Sequence, residues 1–165
     1  MAQGAQDVMR NEFVTGLVNI HAVEKQAMQL MQRQIERNRD YPEVAARLRR
    51  HLDETNMQHE RLDKLLSQFG AAPSTLKDLM MQASANMAAL MHAASDDEIL
   101  KNTFANAAFE NFEAASYESL IAMAEAAGYQ DALPPLRQSL QEERDMAEWV
   151  HDNVEMVTRR YLELK

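Results

Sequence analysis

Two glutamates of this chain stand where a soluble helix is expected to bury only carbon. From Leu136 to Tyr161, steps of four and three select Leu136, Leu140, Glu143, Ala147, Val150, Val154, Val157 and Tyr161, an apolar stripe of bundle-forming spacing. One carboxylate, Glu143, interrupts it. Near the other end of the chain the same stepping gives Phe13, Leu17, Ile20, Glu24, Met28, Met31 and Ile35, again with one glutamate in the middle. A lone ionised carboxylate is costly to bury, so each must be protonated, paired or bound to a cation.

Two further stripes offer partners. Leu48, His51, Thr55, Gln58, Leu62, Leu65 and Phe69 form a face that is apolar at its ends and polar in its middle, with Glu54 on its edge. Ile99, Phe109, Glu113, Tyr117, Leu120 and Ala124 form another, and Glu110 lies one turn before Glu113. Glu24, Glu54, Glu110, Glu113 and Glu143 converging in one core would repel one another unless divalent cations lay among them. Two such ions nearly neutralise the set. Donors rich in oxygen, with little nitrogen and no sulfur, suit iron or manganese, and magnesium or calcium less selectively. His51 and Gln58, each one turn from Glu54, could ligate or support the site by hydrogen bonds. Tyr117, one turn beyond Glu113, could do the same or simply fill the core. The plainer alternative is that the glutamates are half-exposed and pair with surface Arg or Lys. His21, His59, His92 and His151 read as surface or packing residues, and the 12 methionines read chiefly as packing, with sacrificial oxidation as a further use.

The elements that must position these groups are helices. Of 165 residues only 4 are Gly and 4 are Pro, the chain is rich in Ala, Met, Leu, Glu and Gln, and alternating β-branched runs are absent. The first helix is expected from about Gln6 to Arg37. A turn at 38–41 leads to Pro42 in the first turn of the second helix, which reaches Phe69 and stops at Gly70. So short a connection makes the two antiparallel, and it sets Glu24 and Glu54 at one level. Ala71 to Asp97 forms a crossover with its own shorter helix, capped by Ser74 and carrying Leu76, Leu79, Met80, Met87, Leu90 and Met91. A third helix runs from an N-cap near Asp96 to Gly128, and the fourth has Pro134 and Pro135 in its first turn. Counted from the turn between them, Glu113 and Glu143 differ in level by about one helical turn. The fold expected is therefore all-α: an antiparallel four-helix bundle, ferritin-like, with an extra crossover helix between helices 2 and 3, forming a single domain over residues 1–165.

Composition narrows the function. A net charge of −9 argues against nucleic acid. The lack of cysteine excludes disulfides, iron–sulfur clusters and thiol chemistry. Residues 1–12 are polar and no apolar run is long enough to span a membrane, so a soluble cytoplasmic protein without a secretory leader is expected.

The segments VEKQ at 23–26, HLDETNMQHERLD at 51–63, ENFEAASYESL at 110–120, AEAAGY at 124–129 and LQEER at 140–144 resemble the YciE/YciF ferritin-like stress proteins over nearly the whole chain. The resemblance implies a dinuclear metal site, usually two iron ions, with the family's carboxylates falling on Glu24, Glu54, Glu110, Glu113 and Glu143. It also implies departures. The wider di-iron families carry Glu-x-x-His on the second and fourth helices, whereas Met57 follows Glu54 and Met146 follows Glu143 at that spacing. Relatives often have an acidic residue where this chain has Ala147.

Two functions compete on this reading. One is a metal protein with oxidase- or peroxidase-type activity, using oxygen or peroxide as its small substrate in a stress response. The other is a non-catalytic helical interaction protein whose glutamates are structural and whose Met-rich crossover binds a partner. Cage-forming ferritins carry a further helix after the fourth, and little follows Tyr161 here. A small assembly, a homodimer, is therefore expected, and sedimentation showing a large shell would overturn it.

Overall fold

The computed structural model describes residues 2–71 and 96–165. Four long helices account for most of them: α1 (Ala2–Arg37), α2 (Pro42–Gln68), α3 (Glu98–Ala127) and α4 (Leu133–Glu163), with a 3₁₀ turn at Gln130–Ala132 leading into α4. No strand occurs among the described residues. The expected crossover helix with its Ser74 cap falls at 72–95, outside them.

The chain punctuates these helices as its composition dictates. Pro42 opens α2, where a missing N–H leaves no bond unmade. α2 and α3 both end on glycine in the left-handed region, Gly70 at φ 65° and Gly128 at φ 75°, which side chains with a Cβ adopt only under strain. Each glycine closes the same motif. Ala71 N–H reaches back to Leu66 O, and Tyr129 N–H to Ala124 O, satisfying carbonyls that the helix end would orphan. The two turns lie at one end of the bundle, where Phe13, Phe69 and Tyr129 pack with ring centroids 4.8–5.3 Å apart. The start of α3 differs slightly from expectation. Asp97, not Asp96, stands at its N-cap, and its carboxylate pairs with Lys101 at 2.8 Å instead of capping the helix.

Cross-helix pairs give the topology. Glu24 meets Tyr117 and Gln34 meets Asn106, so α1 and α3 run antiparallel. His51 lies near Glu143 and Arg61 near Ser139, so α2 and α4 do too. With short turns joining α1 to α2 and α3 to α4, the second and third helices must be parallel, which is the ferritin-like arrangement and needs a long connection.

The core is built in three layers along the bundle. One apolar cluster, at the end with the glycine turns, includes Phe13, Leu17, Ile20, Leu62, Leu66 and Leu136. A second, nearer the other end, includes Ala27, Met31, Leu48, Ile99, Met146 and Val150. Between them every helix contributes buried polar groups: Glu24, then His51, Thr55 and Gln58, then Glu110 and Glu113, then Glu143. The two methionines at the usual histidine positions differ in setting. Met57 is 47% exposed, and Met146 is fully buried within the second apolar cluster.

Candidate metal centre

The polar layer is a carboxylate cluster around one imidazole. His51 Nδ1 lies 2.9 Å from Glu54 Oε2, and Nε2 lies 2.9 Å from Glu110 Oε2 and 3.6 Å from Glu143 Oε2. One donor atom each from His51, Glu110 and Glu143 fall within 4.8 Å of one another, and all three side chains are buried. Glu24 enters from α1 and accepts a 2.5 Å hydrogen bond from the Tyr117 hydroxyl. The one-turn offset expected between Glu113 and Glu143 is bridged because α3 presents two glutamates a turn apart, and Glu143 acts on both.

Glu54 sits differently from the others. Its side chain is 22% exposed, and it receives a 3.1 Å hydrogen bond from Arg47 besides facing His51. On α2 it is His51, Thr55 and Gln58 that point fully inward. The Gln58 amide donates to Glu142 Oε2 at 3.0 Å, and Arg61 holds both oxygens of Glu142 at 2.6 and 2.9 Å. Arg47, Arg61 and Glu142 thus brace the cluster from outside. Sequence reading did not single them out, because each is a charged residue on a polar flank and only the helix rotation shows which way it reaches.

Proton affinities follow from this packing. Burial raises Glu24 well above the usual carboxylate range, and the nearby Glu143 charge adds to it, against the Tyr117 bond and the His51 ring. Burial likewise raises Glu113, reinforced by Glu143, Glu24 and Glu110. Glu110 is raised to about 7, burial outweighing the help it receives from His51. Burial opposes the charge of His51 as well, but Glu110, Glu143 and Glu54 together lift it well above its ordinary value. Glu143 and Glu54 are lowered despite burial, His51 being the main cause in each.

Several buried oxygens have no hydrogen-bond partner among the described residues: Glu24 Oε2, Gln58 Oε1, Glu113 Oε1 and both oxygens of Glu143. Glu110 Oε2 faces His51 closely, yet without the alignment of a hydrogen bond. Buried carboxylate oxygens are rarely left this way in proteins. Oxygen-rich, with one imidazole nitrogen, the donor set fits iron or manganese.

A narrow crevice of about 10 Å³ between α1 and α3, lined by Ala27, Met31, Asn106 and Phe109, reaches Glu110. That is room for about one water molecule.

Two of the remaining histidines correct the sequence reading. His151 is exposed, and His92 lies outside the described residues. His21 and His59, read from sequence as surface or packing residues, meet each other and Asp63. Spacing shows only half of this group: Asp63 follows His59 by one turn of α2, whereas His21 joins them from across the turn between α1 and α2.

A family model described as "Domain of unknown function (DUF892)" matches residues 8–163. Among solved structures, a Xanthomonas campestris protein is 28% identical, with a TM-score of 0.78 over 94% of this chain and 96% of that one. YcfI from Rhodopseudomonas palustris is also 28% identical, with a TM-score of 0.67 over 87% of this chain and 92% of its own. The E. coli stress protein YciF is 22% identical, with a TM-score of 0.71 over 92% of this chain and 97% of its own. The last likeness establishes a shared fold, in line with the resemblance carried by the motifs at 51–63 and 110–120.

Proposed function

The chain belongs to the DUF892 family, and we propose that its bundle holds a dinuclear metal centre, iron in the first place with manganese as the substitute. The observation that supports this most directly is the set of buried, unpartnered carboxylate oxygens on Glu24, Glu113 and Glu143 between two apolar clusters. Glu24, Glu110, Glu113 and Glu143 would hold the ions with His51, and Glu54 would join from the edge. Bound iron supplies one-electron chemistry toward oxygen or peroxide. The chain's own groups do the positioning. Tyr117 fixes one Glu24 oxygen and leaves the other free, while Arg61 and Glu142 anchor the Gln58 amide. The apolar clusters on either side keep bulk water out. The crevice that reaches Glu110 has room for about one water molecule, so a large organic substrate is not expected to arrive by that route. YciF is described as a stress protein, and removal of oxidant is the role we infer here.

Metal analysis after anaerobic iron(II) loading and desalting tests this reading, with about two ions per chain expected. A protein that retains none sinks it. That outcome would favour the second reading, a structural polar layer, for which His51 already provides an internal counter-charge to Glu54, Glu110 and Glu143.

A further inference from the structure

A second group of ligand type lies on the outer side of the α1–α2 pair, apart from the carboxylate layer. His21 projects from α1, and His59 and Asp63 project from successive turns of α2. His21 Nε2 lies 2.9 Å from Asp63 Oδ1, and His59 Nδ1 lies 3.6 Å from Asp63 Oδ2. The two rings stack with centroids 3.9 Å apart at 33°. One donor atom from each of the three residues falls within 4.8 Å of the others.

The hydrogen bond between His21 Nε2 and Asp63 Oδ1 accounts for only part of this arrangement. His21 is almost completely buried, yet its Nδ1 has no partner among the described residues, and neither has the buried Nε2 of His59. Burial and the adjoining His21 ring hold His59 below its ordinary value, which favours its neutral form. The neutral ring is the form that binds metal. One carboxylate, that of Asp63, is shared between the two imidazoles. The His59 side chain is 22% exposed and that of Asp63 48%, which leaves an approach from solvent.

We propose that His21, His59 and Asp63 form a second metal site, which takes a borderline divalent transition ion such as zinc. Two nitrogen donors favour such an ion over magnesium or calcium, which prefer all-oxygen surroundings. Bonds of about 2.0–2.2 Å to a common ion would require the side chains of Asp63 and His59, the more accessible pair, to reorient around it. Three protein ligands leave a fourth position open to water or to an exogenous ligand. The site does not depend on the carboxylate layer being metallated.

Zinc titration followed through the histidine side-chain ¹⁵N resonances reads this site separately from the core, since His51 reports on the latter. Zinc is expected to shift the His21 and His59 signals at about one equivalent for this site. Asp63→Asn and His59→Gln, both at accessible positions, are each expected to weaken that response at least about tenfold. Unmoved His21 and His59 signals under excess zinc would overturn the proposal. So would a response that both variants retain. A change confined to His51 counts against this site while supporting the core one, so the two readings fail separately.

Discussion

Glu24→Gln and Glu113→Gln are each expected to lower metal affinity by about 100-fold or more while leaving the chelated protein as stable as the parent, or more so. The asymmetry follows from the charge state of the layer. Burial and the Glu143 charge raise both glutamates well above their ordinary range, so without metal each is biased toward its protonated form, which an amide matches in shape. A metal ion needs the ionised form, which an amide cannot supply. Raised carboxyl values also set the pH dependence. Stability from such groups is complete below the ordinary glutamate value and is lost as pH rises through the folded one. Glu110, at about 7, places part of that loss in the neutral range. The chelated parent should therefore lose stability as pH rises from about 5 to 8, and each glutamine variant should lose less over the same span. Metal content and melting temperature in chelator across that range check both halves. Glutamates in surface ion pairs would behave otherwise, with metal content unchanged and a loss of at most about 1 kcal/mol. If both variants bind metal as the parent does, the buried site is wrong.

Those glutamates are legible in the sequence because a helix face is a strong periodic signal and a charge within it is conspicuous. Glu24 and Glu143 lie between apolar residues in their own stripes, so their burial follows from spacing alone. The face of α2 is harder to read, its middle being polar throughout. A rotation of one residue decides whether Glu54 or Thr55 points inward, and the fold turns Thr55, with His51 and Gln58, into the core. His51, which the sequence offers as either ligand or support, stands at the centre of the cluster. Met57 shows the same rotation from the other side: the residue three beyond Glu54 faces solvent, so a histidine there would not reach the layer. The grouping of His21 with His59 and Asp63 escapes a sequence reading because it joins two helices, and within-helix spacing alone does not pair His21 with anything.

Replacing His51 with leucine is expected to destabilise the chelated protein by about 3–5 kcal/mol, the range for removing one partner of a buried charge pair. The ring is the buried cation between Glu54, Glu110 and Glu143, and leucine fills much of its volume, so the loss reports charge more than cavity. Glu54 keeps Arg47, but Glu143 has no other cationic partner among the described residues. The sign of the pH dependence is fixed by the two shifts. His51 is raised, so its contribution is complete below its ordinary value near 6.5 and fades as pH rises through the folded one. Glu143 is lowered, so its contribution is complete above the ordinary glutamate value and fades as pH falls through the folded one. The difference in melting temperature between parent and variant should therefore be largest between about pH 4.5 and 6.5 and shrink on the acid side, where protonation of Glu143 removes the orphaned charge. Divalent metal supplies the missing positive charge, and saturating iron(II) or manganese(II) should restore much of the lost stability, though at weaker affinity than in the parent because one nitrogen donor is gone. His51→Gln, which keeps a hydrogen-bond donor without the charge, should fall between the two. A leucine variant as stable in chelator as the parent at every pH would mean that the layer is not held by the His51 charge.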